Sequence, residues 1–535
     1  MSLLVMLPLL LPGYILTLDM VFTPRLRMPD AVTSGYVFRA GLSLLNILIP
    51  SQVIQKVLLL GILFLSGWGV FLLAKSLEEN HEPTTDHIGM YMAGALYMVN
   101  PFTYSRFMAG QYLVLLGYAL LPFFARAWLR FLHQPSPKKA GIVSAWVVAI
   151  SIVSIHTLGA VIVLATVGLA LEARRSRRHP KQLSASLQMT GCAVILVLVA
   201  SSYWLVPLLT GQSKTAQAIQ HFDAADRQAF ATEGGNAVGQ LANIVRLQGF
   251  WTEGQGLYAL PQDHVPAWGL LAITLWALVI TGGVSLWRQR QHSVLAWLAV
   301  SAGLGACLAT SVANNWLAAW MPLFSGFREP HKFVGLVALA YAFLAGRGVD
   351  YLAQRYRPRL TDLSPYVIGT GAAVLIATLT PTMFWGFGGQ LQPRQYPADW
   401  AVINGMLNHD TDNFQTVFLP WHLYTQFNFS QRIIVHPAPD FFDKPVLINN
   451  NPEFAGIKPT IADANTQSVS DILASTHNRD DLGARLAHLH IKYVILSKDA
   501  DADQYQYLDQ QTDLQLVKET DTLKLYQNKV IIGEL

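Results

Sequence analysis

Long apolar runs broken by short polar turns fill residues 1 to 387, and a run of about 20 such residues crosses a bilayer as one helix. The runs predict about eleven transmembrane helices, near 3 to 18, 56 to 74, 88 to 101, 111 to 128, 140 to 155, 157 to 172, 188 to 208, 265 to 286, 293 to 311, 333 to 353 and 366 to 387. Within the first polar interval, residues 40 to 49 are apolar but too short to span, and Pro50 closes them; an interfacial helix is expected there. After Phe387 the pattern changes, and Gly388-Gly389-Gln390 opens a polar stretch. Residues 416 to 419, 432 to 435, 493 to 496 and 524 to 526 are rich in β-branched and aromatic residues, whereas 469 to 474 and 482 to 489 carry helical spacing. The expected fold is therefore an α-helical polytopic membrane protein, residues 1–387, followed by a soluble α/β domain, residues 388–535, that ends in a hairpin.

Composition supports the membrane assignment. Of 535 residues, 52% are hydrophobic and 13% charged, against about a quarter charged in soluble domains. A net charge of +4 on this length, with no basic tail, gives no reason to expect nucleic acid. Cys192 and Cys307 lie in apolar spans and read as small hydrophobes, so neither a disulfide framework nor a metal knuckle is expected. The first apolar stretch has no basic flank and no cleavage pattern, and is read as a span carrying Pro8 and Pro12 rather than as a removable leader.

The basic residues set the orientation, because Lys- and Arg-rich loops stay cytoplasmic. Arg126, Arg130, Lys138 and Lys139 form one such turn, and Arg174, Arg175, Arg177, Arg178 and Lys181 form another. The apolar stretch between them is too long for one span, and two ends on one side demand an even number of crossings, so the chain must turn near His156. Counting on from there puts Arg288, Arg290, Arg355, Arg357 and Arg359 inside. Residues 209 to 264, residues 312 to 332 and the C-terminal domain then lie outside, and the N-terminus is cytoplasmic. The loop 75 to 87 also comes out cytoplasmic although it is acidic, and acidic residues weigh little in this rule.

Four polar clusters then share the outer face. Asp19 leaves the first span at an apolar edge, where partial desolvation would raise its pKa and suit it to act as a general base; an interfacial cap or a partner for Arg25 is the simpler reading. Arg106, in Asn100-Pro101-Phe102-Thr103-Tyr104-Ser105-Arg106-Phe107, offers a fork for phosphate or else snorkels to headgroups. His156 sits at a hairpin turn, as a proton shuttle or as a structural side chain. The densest cluster is Phe327-Arg328-Glu329-Pro330-His331-Lys332-Phe333, where Pro330 opens a helix beside three potential cations, an anion site unless Arg328 and Glu329 simply pair. Trp251 and Glu253 add an aromatic platform and a second carboxylate, although Trp is also abundant at membrane interfaces and that is the simpler reading. No phosphate-cradling glycine loop, zinc spacing, Gly-x-Ser-x-Gly elbow or ATPase motif occurs.

This arrangement resembles the C-type (GT-C) glycosyltransferase superfamily, in particular YfhO-like and arabinofuranosyltransferase-like envelope proteins. The resemblance rests on Asp19 in the first outer loop, the interfacial helix, the Asn-Pro-Phe turn ending in Arg106, the Phe-Arg-Glu-Pro-His-Lys-Phe run and the soluble C-terminal domain. It implies an enzyme of the cytoplasmic membrane that moves a sugar from a polyprenyl-phosphate carrier to a hydroxyl of an envelope glycan, lipid or protein. Asp19 would be the base. Arg106, Arg328, His331 and Lys332 would hold the donor phosphate, with His156, Trp251, Glu253 and Glu329 at the substrate. The second outer loop has no acidic pair and there is no Trp-Trp-Asp motif, so no metal or other cofactor is expected. Two other readings stand beside this one. A transporter or lipid flippase would place ionisable residues at mid-membrane, and a non-catalytic envelope factor would bind glycan through the C-terminal domain.

Overall fold

The computed structural model describes residues 1–78, 87–178, 180–220, 222, 224–360, 363–450, 464–475 and 480–530. Glu79, Glu82 and Asp86 of the loop 75 to 87 lie outside them. By internal contacts the chain divides into two units, one of residues 1–8, 29–41 and 56–390, the other of residues 9–28, 42–55 and 391–535.

The expected first span is not a membrane helix. After α1 (Ser2–Met6) the chain passes through a 3-10 turn at Leu7–Leu10, and Tyr14–Ile15 forms a strand, β1. Hydropathy could not reveal this, because Pro8 and Pro12 interrupt helix propagation and strand partners lie far off in sequence. β1 pairs antiparallel with β2 (Pro393–Arg394), and the Gln55 side chain bonds both the N–H and the C=O of Ile15, at 2.9 and 2.7 Å. Helix α2 (Tyr36–Asn46) occupies the place of the expected interfacial helix. Its C-terminal half and the residues after it expose Leu44, Leu45, Ile47 and Leu48.

Helices α3 (Ser51–Glu78), α4 (Ile88–Met98), α5 (Pro101–Met108), α6 (Tyr112–His133), α7 (Pro137–Val153), α8 (Thr157–Arg175) and α9 (Pro180–Leu209) follow. Three short helices, α10 (Lys214–Gln220), α11 (Ala224–Ala229) and α12 (Ala237–Ile244), then lead to α13 (Trp268–Arg288), α14 (His292–Leu308), α15 (Ser311–Trp320), α16 (Val334–Leu360) and α17 (Ser364–Leu379). Among the described residues, six helices are long and apolar enough to span. The count rises to eight if the bent pairs α14 with α15 (79°) and α17 with Pro381–Gly388 (76°) each make one span. The expected eleven is not reached. Besides the first stretch, the chain at 88 to 101 gives only the 11 residues of α4, roughly 16 Å of helix against a hydrocarbon core of about 30 Å. The α7 segment gives 17 residues.

The turn near His156 is present. Helix α7 stops at Val153, and α8 starts at Thr157. The start of α6 (Val114, Tyr118) shares one small cavity with His156 and Thr157, while the ends of α6 and α8 share another with Lys139 of α7. Thus α6 and α8 run alike and α7 runs back between them.

Helix α16 is the hub of this unit, with 94% of its most apolar window buried. Small residues let its neighbours approach, the usual device where lipid removes the hydrophobic drive between helices. A Cβ at Gly282 of α13 would fall 1.8 Å from the Leu344 carbonyl oxygen, and one at Gly89 of α4 would fall 2.2 Å from that of Gly346.

In the second unit, β3 (Gln415–Leu419), β4 (Tyr424–Gln426), β5 (Ile433–Val435), β6 (Val446–Leu447), β7 (Ile491–Ser497), β8 (Leu514–Glu519) and β9 (Leu523–Asn528) contain the four predicted strands. The main sheet has the order β6-β3-β7-β9-β8, parallel from β6 to β7 and antiparallel thereafter, and β8 and β9 make the expected terminal hairpin. Val417, Leu419, Val494 and Leu496 pack with Val469 and Leu473 of Ala464–Ala474 and with Leu482 and Leu486 of Leu482–Ala487.

Candidate active site

Asn100 starts the local structure that carries Arg106. Its side-chain oxygen accepts from Thr103 N–H at 3.0 Å as an N-cap, its amide donates to the Leu96 and Tyr97 carbonyls at 2.9 Å, and Pro101 takes the first helical position. The resulting helix α5 turns Arg106 inward, where its side chain is 0% exposed. A buried guanidinium needs partners on every side. Nη1 donates to Glu329 Oε2 at 2.6 Å and to the Gln111 side-chain oxygen Oε1, Nη2 donates to His331 Nδ1 at 3.1 Å, and the guanidinium carbon lies 3.8 Å from the Phe250 ring centroid, while Nε is buried with no hydrogen-bond partner among the described residues.

Glu329 completes the network. Its carboxylate also accepts from the Gln111 amide at 3.1 Å and lies 3.5 Å from Lys332 Nζ. Burial by itself would raise the Glu329 pKa, but Lys332 and Arg106 together outweigh it and hold the carboxyl well below the usual range. His331 is fixed at both nitrogens. Its Nε2 lies 3.0 Å from the Gln248 carbonyl, which can only accept, so Nε2 carries the proton and Nδ1 accepts from Arg106. This geometry suits a neutral imidazole between Arg106 and the loop, and not the third cation expected from sequence.

Arg328 stands apart from this pairing. The guanidinium carbon lies 4.3 Å from the Phe230 ring centroid and 4.8 Å from that of Phe222, and among the described residues no carboxylate bonds to it. Its donors therefore remain available to an anion while the two rings restrain it. His156 packs its ring edge-on to Phe327 at 5.3 Å, and its Nδ1 is buried without a hydrogen-bond partner among the described residues. It lines a cavity of about 20 Å³ with Lys332, Tyr118 and Phe102, room for about one water.

Glu253 and Trp251 join the same cluster from the other side. Glu253, half-buried on the 3-10 turn Trp251–Gln255, accepts from Ser105 Oγ at 2.6 Å and from Gly249 N–H at 2.8 Å. Burial pushes its pKa up to about 6. Trp251 is buried against Phe230 and Phe250, and so presents no open aromatic platform.

Asp19 belongs to the other unit. Thr17 and Met20 bond each other across a tight turn, at 3.2 and 2.7 Å, with Leu18 and Asp19 at its tip. Leu18 has φ +33°, a strained value for a non-glycine residue, held by Leu18 N–H to the Ile433 carbonyl at 3.1 Å and Val435 N–H to the Leu18 carbonyl at 2.8 Å. The turn leaves Asp19 exposed, accepting from the Tyr424 hydroxyl at 2.7 Å. The partial desolvation expected at an apolar edge is thus absent, because the preceding segment is a strand of the second unit and not the end of a membrane helix.

Sequence reasoning missed Gln111, Ser105, Phe222 and Phe230 as members of the site. None stands in a charged run, and only their contacts identify them. Among the described residues no group of three or more His, Cys, Asp or Glu is arranged to hold a metal ion.

No family model and no curated protein matches the sequence. Among solved structures, the cryo-EM structure of the arabinofuranosyltransferase AftD from mycobacteria is similar to 100% of this chain with a TM-score of 0.63 and 15% identity, over 39% of the AftD chain. One class of a single-substitution AftD mutant is similar to 99% of this chain with a TM-score of 0.60 and 16% identity, over 41% of that chain. The other class is similar to 99% of this chain with a TM-score of 0.55 and 14% identity. The chain thus spans about two fifths of the length of the structures it matches. At these identities the likeness is one of fold: a multi-pass, mostly helical membrane architecture and a β-sheet domain. It does not extend to the YfhO-like identity.

Proposed function

We propose that this protein is a C-type membrane glycosyltransferase that moves a sugar from a polyprenyl-phosphate carrier to an acceptor hydroxyl of an envelope glycan, lipid or protein on the outer side of the cytoplasmic membrane. The observation that carries the reading is the buried Arg106–Glu329–His331 network beside Arg328, whose guanidinium is caged by aromatic rings and has no carboxylate bonded to it among the described residues. A cation held in place with no carboxylate bonded to it suits an anion that arrives with the substrate. The shared fold with an arabinofuranosyltransferase gives the reading independent support.

In this mechanism the acceptor oxygen bonds to the anomeric carbon as the carbon–oxygen bond to phosphate breaks, and polyprenyl phosphate departs with the electron pair. A general base takes the acceptor proton, and Asp19 is the candidate for that role. Arg328 and Lys332 hold the departing phosphate, with His156 beside Lys332. Arg106, Glu329 and His331 act as positioning residues that fix the start of α16, while Glu253 and Trp251 brace the loop behind them.

The test uses the full chain in nanodiscs with a panel of radiolabelled polyprenyl-phosphate sugars, reading carrier release. Wild type should release carrier from at least one donor, and Arg328→Ala should raise the donor KM. Asp19→Asn should retain donor binding and lose roughly 10²- to 10⁴-fold in kcat, the usual contribution of a general base. Unchanged transfer by Asp19→Asn would remove that residue from the mechanism, and no release from any donor would remove the enzyme reading.

A further inference from the structure

Between α14 and α15 the chain bends by 79°, and the residues at the bend build it. Thr310 Oγ1 donates to the Cys307 carbonyl at 2.7 Å, closing α14, and accepts from Ala313 N–H at 3.4 Å as the N-cap of α15. The segment before α13 clamps the same point. Thr232 Oγ1 donates to the Ala309 carbonyl at 2.6 Å, and the Gln240 amide exchanges two hydrogen bonds with Ser311, at 2.8 and 2.9 Å.

Along α15 the exposed positions are Val312, Asn315, Trp316, Ala319 and Trp320. Their spacing of three and four marks one helical face. Trp316 and Trp320 are 62% and 73% exposed, although Trp side chains are highly buried on average. Apolar surface continues onto α14, where Val300 and Leu304 are also exposed, and the chain from 293 to 327 holds no Asp, Glu, Lys, Arg or His. A contiguous apolar face of this kind marks a contact surface. The other side of α15 turns toward the site: Asn314 is buried, and its amide donates to the Phe327 carbonyl at 2.8 Å, one residue from Arg328.

Two occupants compete for the exposed face. A stacked sugar would need a flat surface ringed by polar groups, but the two Trp ring planes are inclined by 50° at 6.3 Å between centroids. The face offers one polar side chain, Asn315, whose oxygen already accepts from Arg227 Nε at 3.1 Å. A bilayer surface asks for neither feature. The 17 residues of α14 reach roughly 25 Å, so with α14 as a crossing arm the 79° bend carries α15 close to the membrane plane, the level at which Trp side chains gather.

We propose that α15 is an interfacial helix whose face of Val312, Trp316 and Trp320 docks into the lipid headgroup region at the end of the bundle that holds Arg106 and Glu329, and whose Asn314 couples that contact to the Arg328 loop. The partner is the bilayer leaflet itself. Where the glycosyltransferase reading also holds, on which this one consequence rests, the contact sets Arg328 near the depth of a lipid-linked phosphate.

The test places single nitroxide labels at Val312→Cys, Trp316→Cys and Trp320→Cys in a Cys192→Ala/Cys307→Ala background, since both native cysteines are exposed. The full chain sits in nanodiscs of phosphatidylcholine and phosphatidylglycerol, and depth is read by power saturation with oxygen against a water-soluble nickel chelate. Eight residues of helix span about 12 Å, and ordinary helix tilt of about 20° allows no more than about half of that as a difference in depth for a helix bent so far from its crossing arm. All three labels should therefore lie at the headgroup boundary within that limit. A depth difference near the full length would make α15 a continuation of the span, and nickel access equal to free solvent at all three positions would leave the face to water or a glycan; either result overturns the proposal. Should the labelled variants fail to fold, quenching of the native fluorescence by brominated phosphatidylcholine repeats the test. Trp316→Phe/Trp320→Phe should then show a smaller quenched fraction than wild type, and equal fractions overturn the lipid contact. Hydrogen exchange reads the coupling: Asn314→Leu removes the bond to the Phe327 carbonyl and should raise exchange of residues 324–328 about fivefold, the weight of one hydrogen bond, whereas unchanged exchange overturns the coupling. No sugar transfer is read, so failure here is separate from failure of the glycosyltransferase reading.

Discussion

Glu329→Gln is expected to destabilise the protein strongly although it changes one oxygen to an amide. Arg106 is 0% exposed and Glu329 9%, and their nearest atoms are 2.6 Å apart. With charge centres about 4 Å apart and an effective dielectric of about 20, the attraction is ~4 kcal/mol. Removing one partner leaves the other charge buried without compensation, which in comparable pairs costs about 3–5 kcal/mol. Both routes give a loss of about 3–5 kcal/mol. Removing both charges is different, since a buried ion pair exchanged for apolar groups of similar volume is often neutral. The double variant Arg106→Leu/Glu329→Leu should therefore recover most of the loss while abolishing the positioning of His331. Equilibrium unfolding of each variant in mixed micelles measures this. A Glu329→Gln variant within about 0.5 kcal/mol of wild type, or a double variant worse than both singles together, would refute the argument. The pH dependence has a definite sign. Because the folded pKa of Glu329 is depressed, its stabilisation is present above the ordinary glutamate value of about 4.3 and is lost as pH falls through the folded value.

Glu253 should behave in the opposite way. With its carboxyl pushed up to about 6, the folded state holds the proton more tightly than the unfolded state, so wild type should lose stability relative to Glu253→Gln as pH rises from about 4.3 through 6; unfolding measured at pH 4 and pH 8 checks this. Gly282→Ala should abolish stable expression, because the new Cβ would sit 1.8 Å from the Leu344 carbonyl oxygen, whereas Gly191→Ala, with nothing within 4 Å, should be neutral; fluorescence-detected size exclusion distinguishes them.

Much of the architecture was legible because its causes are local. Transfer of an apolar run into lipid depends on the run itself, and basic residues at both ends of residues 140 to 172 required the turn that the structure places at residues 154–156, between α7 and α8. The strands and helices of the second unit followed from β-branched and helical spacing for the same reason. Where the sequence misled, the deciding partner was distant. Residues 3 to 18 are apolar enough to suggest a span, but Tyr14–Ile15 finds its hydrogen bonds in Pro393–Arg394 and Gln55. With that, the expected desolvation of Asp19 disappeared.

The sequence by itself determined that this is a multi-pass membrane protein with a C-terminal portion of mixed strands and helices, and it singled out Arg106, Glu329 and His331 as chemically unusual. Only the tertiary structure decided what those residues do to one another. Arg106 and Glu329 are 223 positions apart, and no periodicity or motif encodes a pairing over that distance. It exists because α5, α6 and the start of α16 meet at one end of the bundle. There the cost of burying a charge sets Arg106 against Glu329, and Arg328 packs between Phe222 and Phe230 with no carboxylate bonded to it among the described residues.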